Sequence, residues 1–169
     1  EYRQVLDLRP DHAEAMAEYW FSLARETAET ASMAEVKDRP REERMKRQME
    51  WAQLSNEERR ERIFANPKAK RLADFWTTEL CTKHPELARA WQERATFLRL
   101  VGREAEAADA LAKALSLGGG DFESREQLAL LNAQQGDFAG AAEQFDTLCD
   151  WLEKKPPTGD GALRKIAKA

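Results

Sequence analysis

Cysteine, histidine, proline and glycine are all scarce in this 169-residue chain, at 2, 2, 6 and 8 respectively. The two cysteines, Cys81 and Cys149, are too few for a disulfide framework, and both fall inside helical patterns where a buried free thiol is expected. Zinc needs at least three protein ligands. Cys81-x-x-His84 supplies one pair, and the other soft ligands, His12 and Cys149, stand in distant parts of the chain. No metal site is therefore expected. Both histidines lie in predicted turns beside acidic residues, so no Cys–His or Ser–His nucleophile is assembled either. Gly118-Gly119-Gly120 follows a helical pattern and lacks a trailing Gly-Lys-Ser/Thr, which excludes a phosphate-binding loop. Catalytic residues and cofactor sites are expected to be none. No apolar run reaches the ~20 residues of a membrane span, and no export signal is present. The net charge of −4 is too small to argue for nucleic acid or an anionic bilayer.

What the chain has in abundance is Ala, Leu, Glu and Arg, a helical composition. Residues also recur 34 apart. Gly102 returns as Gly136, Ala107 as Ala141, Leu111 as Phe145, Leu115 as Cys149, and Arg94-Ala95 as Leu128-Ala129. A small residue, a turn glycine and Ala-x-x-x-Leu/Phe at that period describe a helix–turn–helix unit that must stack on its neighbours to bury a core.

Over residues 88–121 the pattern reads Trp91, Ala95, Leu98, Gly102, Ala107, Leu111 and Ala114; over 122–155 it reads Leu128, Ala129, Gly136, Ala141 and Phe145. This resembles the tetratricopeptide repeat (TPR) family, with 85–150 the well-matched part and 1–84 degenerate. Three departures stand out: Gly119 replaces the closing proline, Asn132 replaces a large apolar residue, and Leu148 replaces a small one. The resemblance implies an all-α, right-handed α-solenoid of stacked antiparallel helix pairs with one irregular charged insert. Its implied organisation is one domain, 1–169. Residues 1–12 are the second helix of a truncated unit, 13–53 a degenerate unit with the insert, and 54–87 a further degenerate unit. Units 88–121 and 122–155 follow, with 156–169 as a tail or capping helix, in which Leu163 and Ile166 are apolar.

Local cues place helices over 1–9, 12–30, 39–54, 56–65, 67–82, 85–101, 104–117, 122–135 and 138–154. Asp11-x-x-Glu14 and Ser55-x-x-Glu58 read as capping boxes, Pro67 and Pro85 as first helical residues, and Asp121 and Asp137 as N-caps. Gly102 and Gly136 are assigned to left-handed turns. The five tryptophans (Trp20, Trp51, Trp76, Trp91, Trp151) are assigned mainly to the core between units, with Trp76 competing against its neighbour Phe75.

Residues 37–71 carry 12 Lys/Arg against 7 Asp/Glu. The signs interleave at helical spacing, which reads as a solvated face. Trp51 and Phe64 are its only aromatics, too few for a single-strand stacking platform. Met45, Met49, Trp51 and Ala52 form an apolar stripe there, assigned to core packing.

In the family, first helices of successive units line a concave face on which peptides lie. The resemblance places Glu14, Ala17 and Phe21, then Arg89, Gln92, Thr96 and Arg99, then Glu123, Glu126, Leu130 and Ala133 on that face. Members that clamp the carboxylate tails of heat-shock chaperones use Lys and Asn. The matching positions here are Glu14, Glu18, Arg89, Glu93, Glu123 and Gln127, an acidic set without the clamp. The implied function is a non-catalytic protein–protein interaction scaffold for a peptide or partner of basic or mixed charge, without nucleic acid or membrane contact. The alternatives are a repeat segment of a larger enzyme or secretion machine that presents substrate, and a self-association module that makes a homodimer. The chain opens at Glu1 inside a helical pattern, so a longer parent is expected; cytoplasmic placement is favoured.

Overall fold

The computed structural model describes residues 2–119 and 122–154. Among the described residues the chain forms nine helices and no strand: α1 (Tyr2–Leu8), α2 (Ala13–Ala34), α3 (Arg41–Gln53), α4 (Asn56–Ala65), α5 (Pro67–Lys83), α6 (Ala88–Leu100), α7 (Glu104–Ser116), α8 (Phe122–Gln134) and α9 (Phe138–Lys154). None of them is long and apolar enough to cross a membrane. Asp121 and residues 156–169, for which a cap and a tail or capping helix are expected, lie outside the described residues.

The helix ends follow the polar chemistry of their flanks. Ser55 N–H donates to Glu58 Oε2 at 2.8 Å while Glu58 N–H donates to Ser55 Oγ at 3.2 Å, so α4 opens on a complete capping box. Asn66 Oδ1 accepts from Lys68 and Ala69 N–H at 2.9 and 3.1 Å, ahead of Pro67 at the first turn of α5. Asp137 Oδ1 accepts from Gly140 N–H at 3.0 Å and caps α9. Two starts differ from expectation. The cap of α2 is His12, whose Nδ1 accepts from Ala15 N–H at 3.2 Å, rather than Asp11. Pro85 precedes α6 instead of opening it: Leu87 N–H closes a turn onto His84 O at 3.1 Å, and the helix begins at Ala88.

Within the C-terminal half, α6 packs antiparallel to α7 and α8 to α9. Gly102 and Gly136 make the two hairpin turns with φ of +74° and +83°. Each lets the following N–H reach back into the helix it leaves, Arg103 to Leu98 O at 2.9 Å and Asp137 to Asn132 O at 2.8 Å. The small residues at corresponding positions of each pair, Ala95 and Ala107, then Ala129 and Ala141, are all buried. Helix α5 packs on α6 and α7 on α8, so hairpins are layered in chain order around one apolar seam that includes Phe97, Leu98, Leu111, Leu128 and Leu131.

The N-terminal half is wired differently from the sequence expectation. Pairs were expected within 13–53 and within 54–87, but α2 lies along α5, and α3 and α4 are set between them in sequence. The reason is where the apolar residues fall. Helix α4 buries Ile63 and Phe64 in the main apolar cluster and sets the Phe64 ring against Trp20 and Phe97, whereas α3 buries only Trp51. Trp51 lies two residues beyond Met49, on the opposite side of the helix. Docking Trp51 therefore turns Met45 and Met49 outward, so of the expected core stripe only Trp51 is buried, while Met45, Met49 and Ala52 are exposed. Phe75 and Trp76 separate in the same way: Phe75 is exposed, while Trp76 is half-buried against Tyr19 at a ring distance of 5.9 Å.

The outer end of the stack corrects three further assignments. Cys149 and Phe145, expected to be buried, and Trp151, expected in the core, are all exposed. All three lie on α9, against whose outer side no described helix packs. Cys81 is buried as expected.

Candidate functional site

Three helices, α2, α6 and α8, sit side by side as the first members of their pairs, joined by polar contacts between side chains. The Arg89 guanidinium of α6 pairs with Glu18 of α2, and its Nε lies 3.8 Å from Glu93 Oε1. Trp20 Nε1 donates to Glu93 Oε2 at 2.8 Å. On the other side of α6, Gln92 Nε2 donates to Gly119 O at 2.7 Å and to Ser124 Oγ of α8 at 3.1 Å. Burial pushes the Glu93 carboxyl above the usual carboxylate range; the Trp20 hydrogen bond and Arg89 pull it back, and Glu18 adds to the rise.

The residues expected on the concave face divide into two groups. Glu14, Arg89, Thr96, Arg99, Glu123 and Leu130 are exposed, and Glu126 and Ala133 are half-buried. Ala17 is buried between α1, α5 and α6, and Phe21 is half-buried in an aromatic cluster, its ring 5.6 Å from Trp20 and 6.2 Å from Phe64. Gln92 is occupied in bridging two units, and Thr96 turns its hydroxyl back to Gln92 O at 2.9 Å. Glu123 accepts from Gln127 Nε2 at 3.2 Å. Ser124, absent from the sequence reading, stands 34 residues after Ala90; that offset was the signal that could have found it.

Behind this face a second polar network locks α5 to α6 and α7. Arg94 Nη1 donates to Asp74 Oδ1 at 2.5 Å, Thr77 Oγ1 at 2.9 Å and Asp74 O at 3.3 Å. Arg103 reaches the same Asp74 Oδ1 at 3.2 Å and chelates Glu106 at 2.6 and 2.5 Å. These contacts consume charge inside the scaffold. Among the described residues no group of three or more His, Cys, Asp or Glu is placed to hold a metal ion.

Stacked antiparallel helix pairs of this kind define a TPR-like α-solenoid, a helical-repeat protein. No family model and no curated protein matches the sequence. Among solved structures the chain is similar to a double mutant of MamA RS-1, at 16% identity and a TM-score of 0.50 over 92% of this chain and 83% of that one. It is also similar to MamA 41-end from Desulfovibrio magneticus RS-1, at 17% identity and a TM-score of 0.49 over 92% and 84%. A third, PilW, a widely conserved type IV pilus biogenesis factor, has 18% identity and a TM-score of 0.48 over 98% and 72%. These are TPR-like helical-repeat proteins, and the likeness is one of fold.

Proposed function

We propose that the chain is a non-catalytic scaffold that holds a peptide or partner protein across the face formed by α2, α6 and α8. The observation that carries this reading is the charge left over on that face. Glu18 takes up Arg89, and Glu93 is turned inward to Trp20. What remains is Glu14, Glu123 and Glu126 against Arg99, with exposed Leu130 among them. An acidic row around an exposed leucine fits a basic or mixed-charge segment with an apolar anchor. Fold likeness to helical-repeat proteins is compatible with such a role. In the same reading α2 and α5 are the two helices of one repeat unit, and α3–α4 is a helical insertion into it.

The test is cross-linking of captured partners followed by mapping. Cross-links should fall on α2, α6 and α8. Glu123→Lys combined with Glu126→Lys should lower capture about tenfold, and Leu130→Asp should do the same. Cross-links confined to other helices, or capture unchanged by both variants, would move the site elsewhere.

A further inference from the structure

The outward face of α5 carries a row of side chains that α7 and α9 do not have. Ala69, Ala73, Thr77 and Leu80 line the buried side of α5. Lys68, Arg71, Phe75, Thr78 and Thr82 lie on the opposite side, within about 80° of one another around the helix. All five are exposed, Phe75 at 57%. Ala73 matches the buried Ala107 and Ala141 at the 34-residue period, which fixes the register. In that register Phe75 stands where α7 has Asp109 and α9 has Glu143, and Arg71 stands where they have Ala105 and Ala139. Those four residues are exposed too, so solvent alone asks only for small or polar groups there. The Phe75 ring is braced edge-on against Trp76 at 5.8 Å, and Trp76 meets Tyr19 of α2. Among the described residues Lys68, Lys70 and Arg71 have no ion-pair partner, while the acids of α5 are occupied, Asp74 by Arg94 and Arg103 and Glu79 by Lys83. Helix α4, with Glu57, Glu58 and Glu61 against Arg59, Arg60 and Arg62, adds no net charge.

We propose that this outward face of α5 is a second docking surface, and that its occupant is an acidic amphipathic helix of a partner protein. The row steps by three, four, three and four residues, the seam along which two helices pair, and it runs about 21 Å, four turns of a partner. Phe75 is the apolar anchor. Thr78 and Thr82 donate their hydroxyls to Asp74 O at 2.7 Å and Thr78 O at 2.9 Å, so they ask no hydrogen bond of the partner. Lys68, Lys70 and Arg71 cluster at the N-terminal end of α5, where the helix dipole is also positive, and together they select carboxylates at one end of the partner helix. Nucleic acid is a poorer occupant, because a single exposed ring makes no stacking platform. This surface is separate from the α2–α6–α8 face and takes a partner of the opposite charge; neither reading depends on the other.

The probe is a fluorescein-labelled synthetic helix of about 15 residues, with leucines along a three–four seam and glutamates flanking them. It is titrated by anisotropy into the 1–169 chain, beside a second peptide in which lysine replaces every glutamate. The parent should bind the glutamate peptide saturably. Phe75→Ser, and separately Lys68→Glu/Arg71→Glu, should weaken that binding at least about tenfold, whereas Leu130→Asp on the other face should leave it unchanged. The lysine peptide should bind the Lys68→Glu/Arg71→Glu variant about tenfold more tightly than it binds the parent, a gain that a damaged fold would not give. The substituted side chains are exposed, and an unchanged melt confirms that the fold is kept. No binding by the parent, or binding that both α5 variants leave unchanged, would overturn the proposal. So would tighter binding of a single-stranded oligonucleotide that displaces the peptide, which would make nucleic acid the occupant. Sedimentation showing oligomers of the parent that dissociate in Phe75→Ser would overturn it as well, by making a second copy the occupant.

Discussion

Trp20 Nε1 donates to Glu93 Oε2 at 2.8 Å, a bond between residues 73 apart in sequence that ties α2 to α6. It connects an indole packed among Phe21, Phe64 and Phe97 to a carboxylate on the edge of the proposed binding face. The carboxylate's inward turn is what leaves that face with its particular charge.

The pH response of Glu93 follows from its burial. Its folded pKa lies above the ordinary carboxylate value of 4.5, so the protonated form is favoured by folding. Its contribution to stability is fully present below the unfolded value and is lost as pH rises through the folded one. Glu93→Gln keeps an acceptor for Trp20 and removes the buried charge. The variant should melt higher than the parent at pH 7, and the gap should close toward pH 4; a gap that widens in acid would contradict the assignment.

The helix crossings leave no room. Ala107 is fully buried, and Ala95 on the paired helix α6, in the same apolar cluster, is 1% exposed. Ala107→Leu should destabilise by about 1–3 kcal/mol through overpacking. A thermal melt matching the parent would count against the register that pairs these alanines.

Two glycines should fail for different reasons. A Cβ on Gly102 would meet nothing within 4 Å, so Gly102→Ala should cost only the left-handed backbone penalty, about 1 kcal/mol. A Cβ on Gly119 would stand 2.2 Å from Ala88 Cβ, so Gly119→Ala must displace the start of α6. It should also weaken the Gln92 bridge to α8, which uses the Gly119 carbonyl. Chemical denaturation of the two variants separates them: Gly119→Ala should be the more damaging.

Arg94 is the least replaceable member of the polar network behind the face. Its side chain is 14% exposed and satisfies Asp74 and Thr77 together, and its guanidinium lies 5.5 Å from the Phe97 ring centroid. Arg94→Ala leaves the buried Thr77 hydroxyl and Asp74 short of a donor and should cost about 2–3 kcal/mol. A double-mutant cycle with Asp74→Ala should show coupling, and purely additive losses would argue against the shared bond.

The sequence alone determined the repeating hairpins, because their signals are local. The 34-residue recurrence, glycines forced into positive φ, the Ser55–Glu58 box and the Asn66-Pro67 start all act within a few residues, and the helix boundaries followed them closely. It also placed Arg89, Gln92 and Glu123 on first helices that the structure sets side by side. Only the tertiary structure decided that α2 takes α5 as its partner, that Trp51 rather than Met45 and Met49 faces inward, and that Ala17 and Phe21 belong to the interior. Each of these depends on which of several apolar faces on one helix finds a cover, a competition between segments tens of residues apart that no short-range pattern records. The same physics exposes Cys149 and Phe145: their repeat equivalents are buried because a helix lies over them, and on α9 no described helix does.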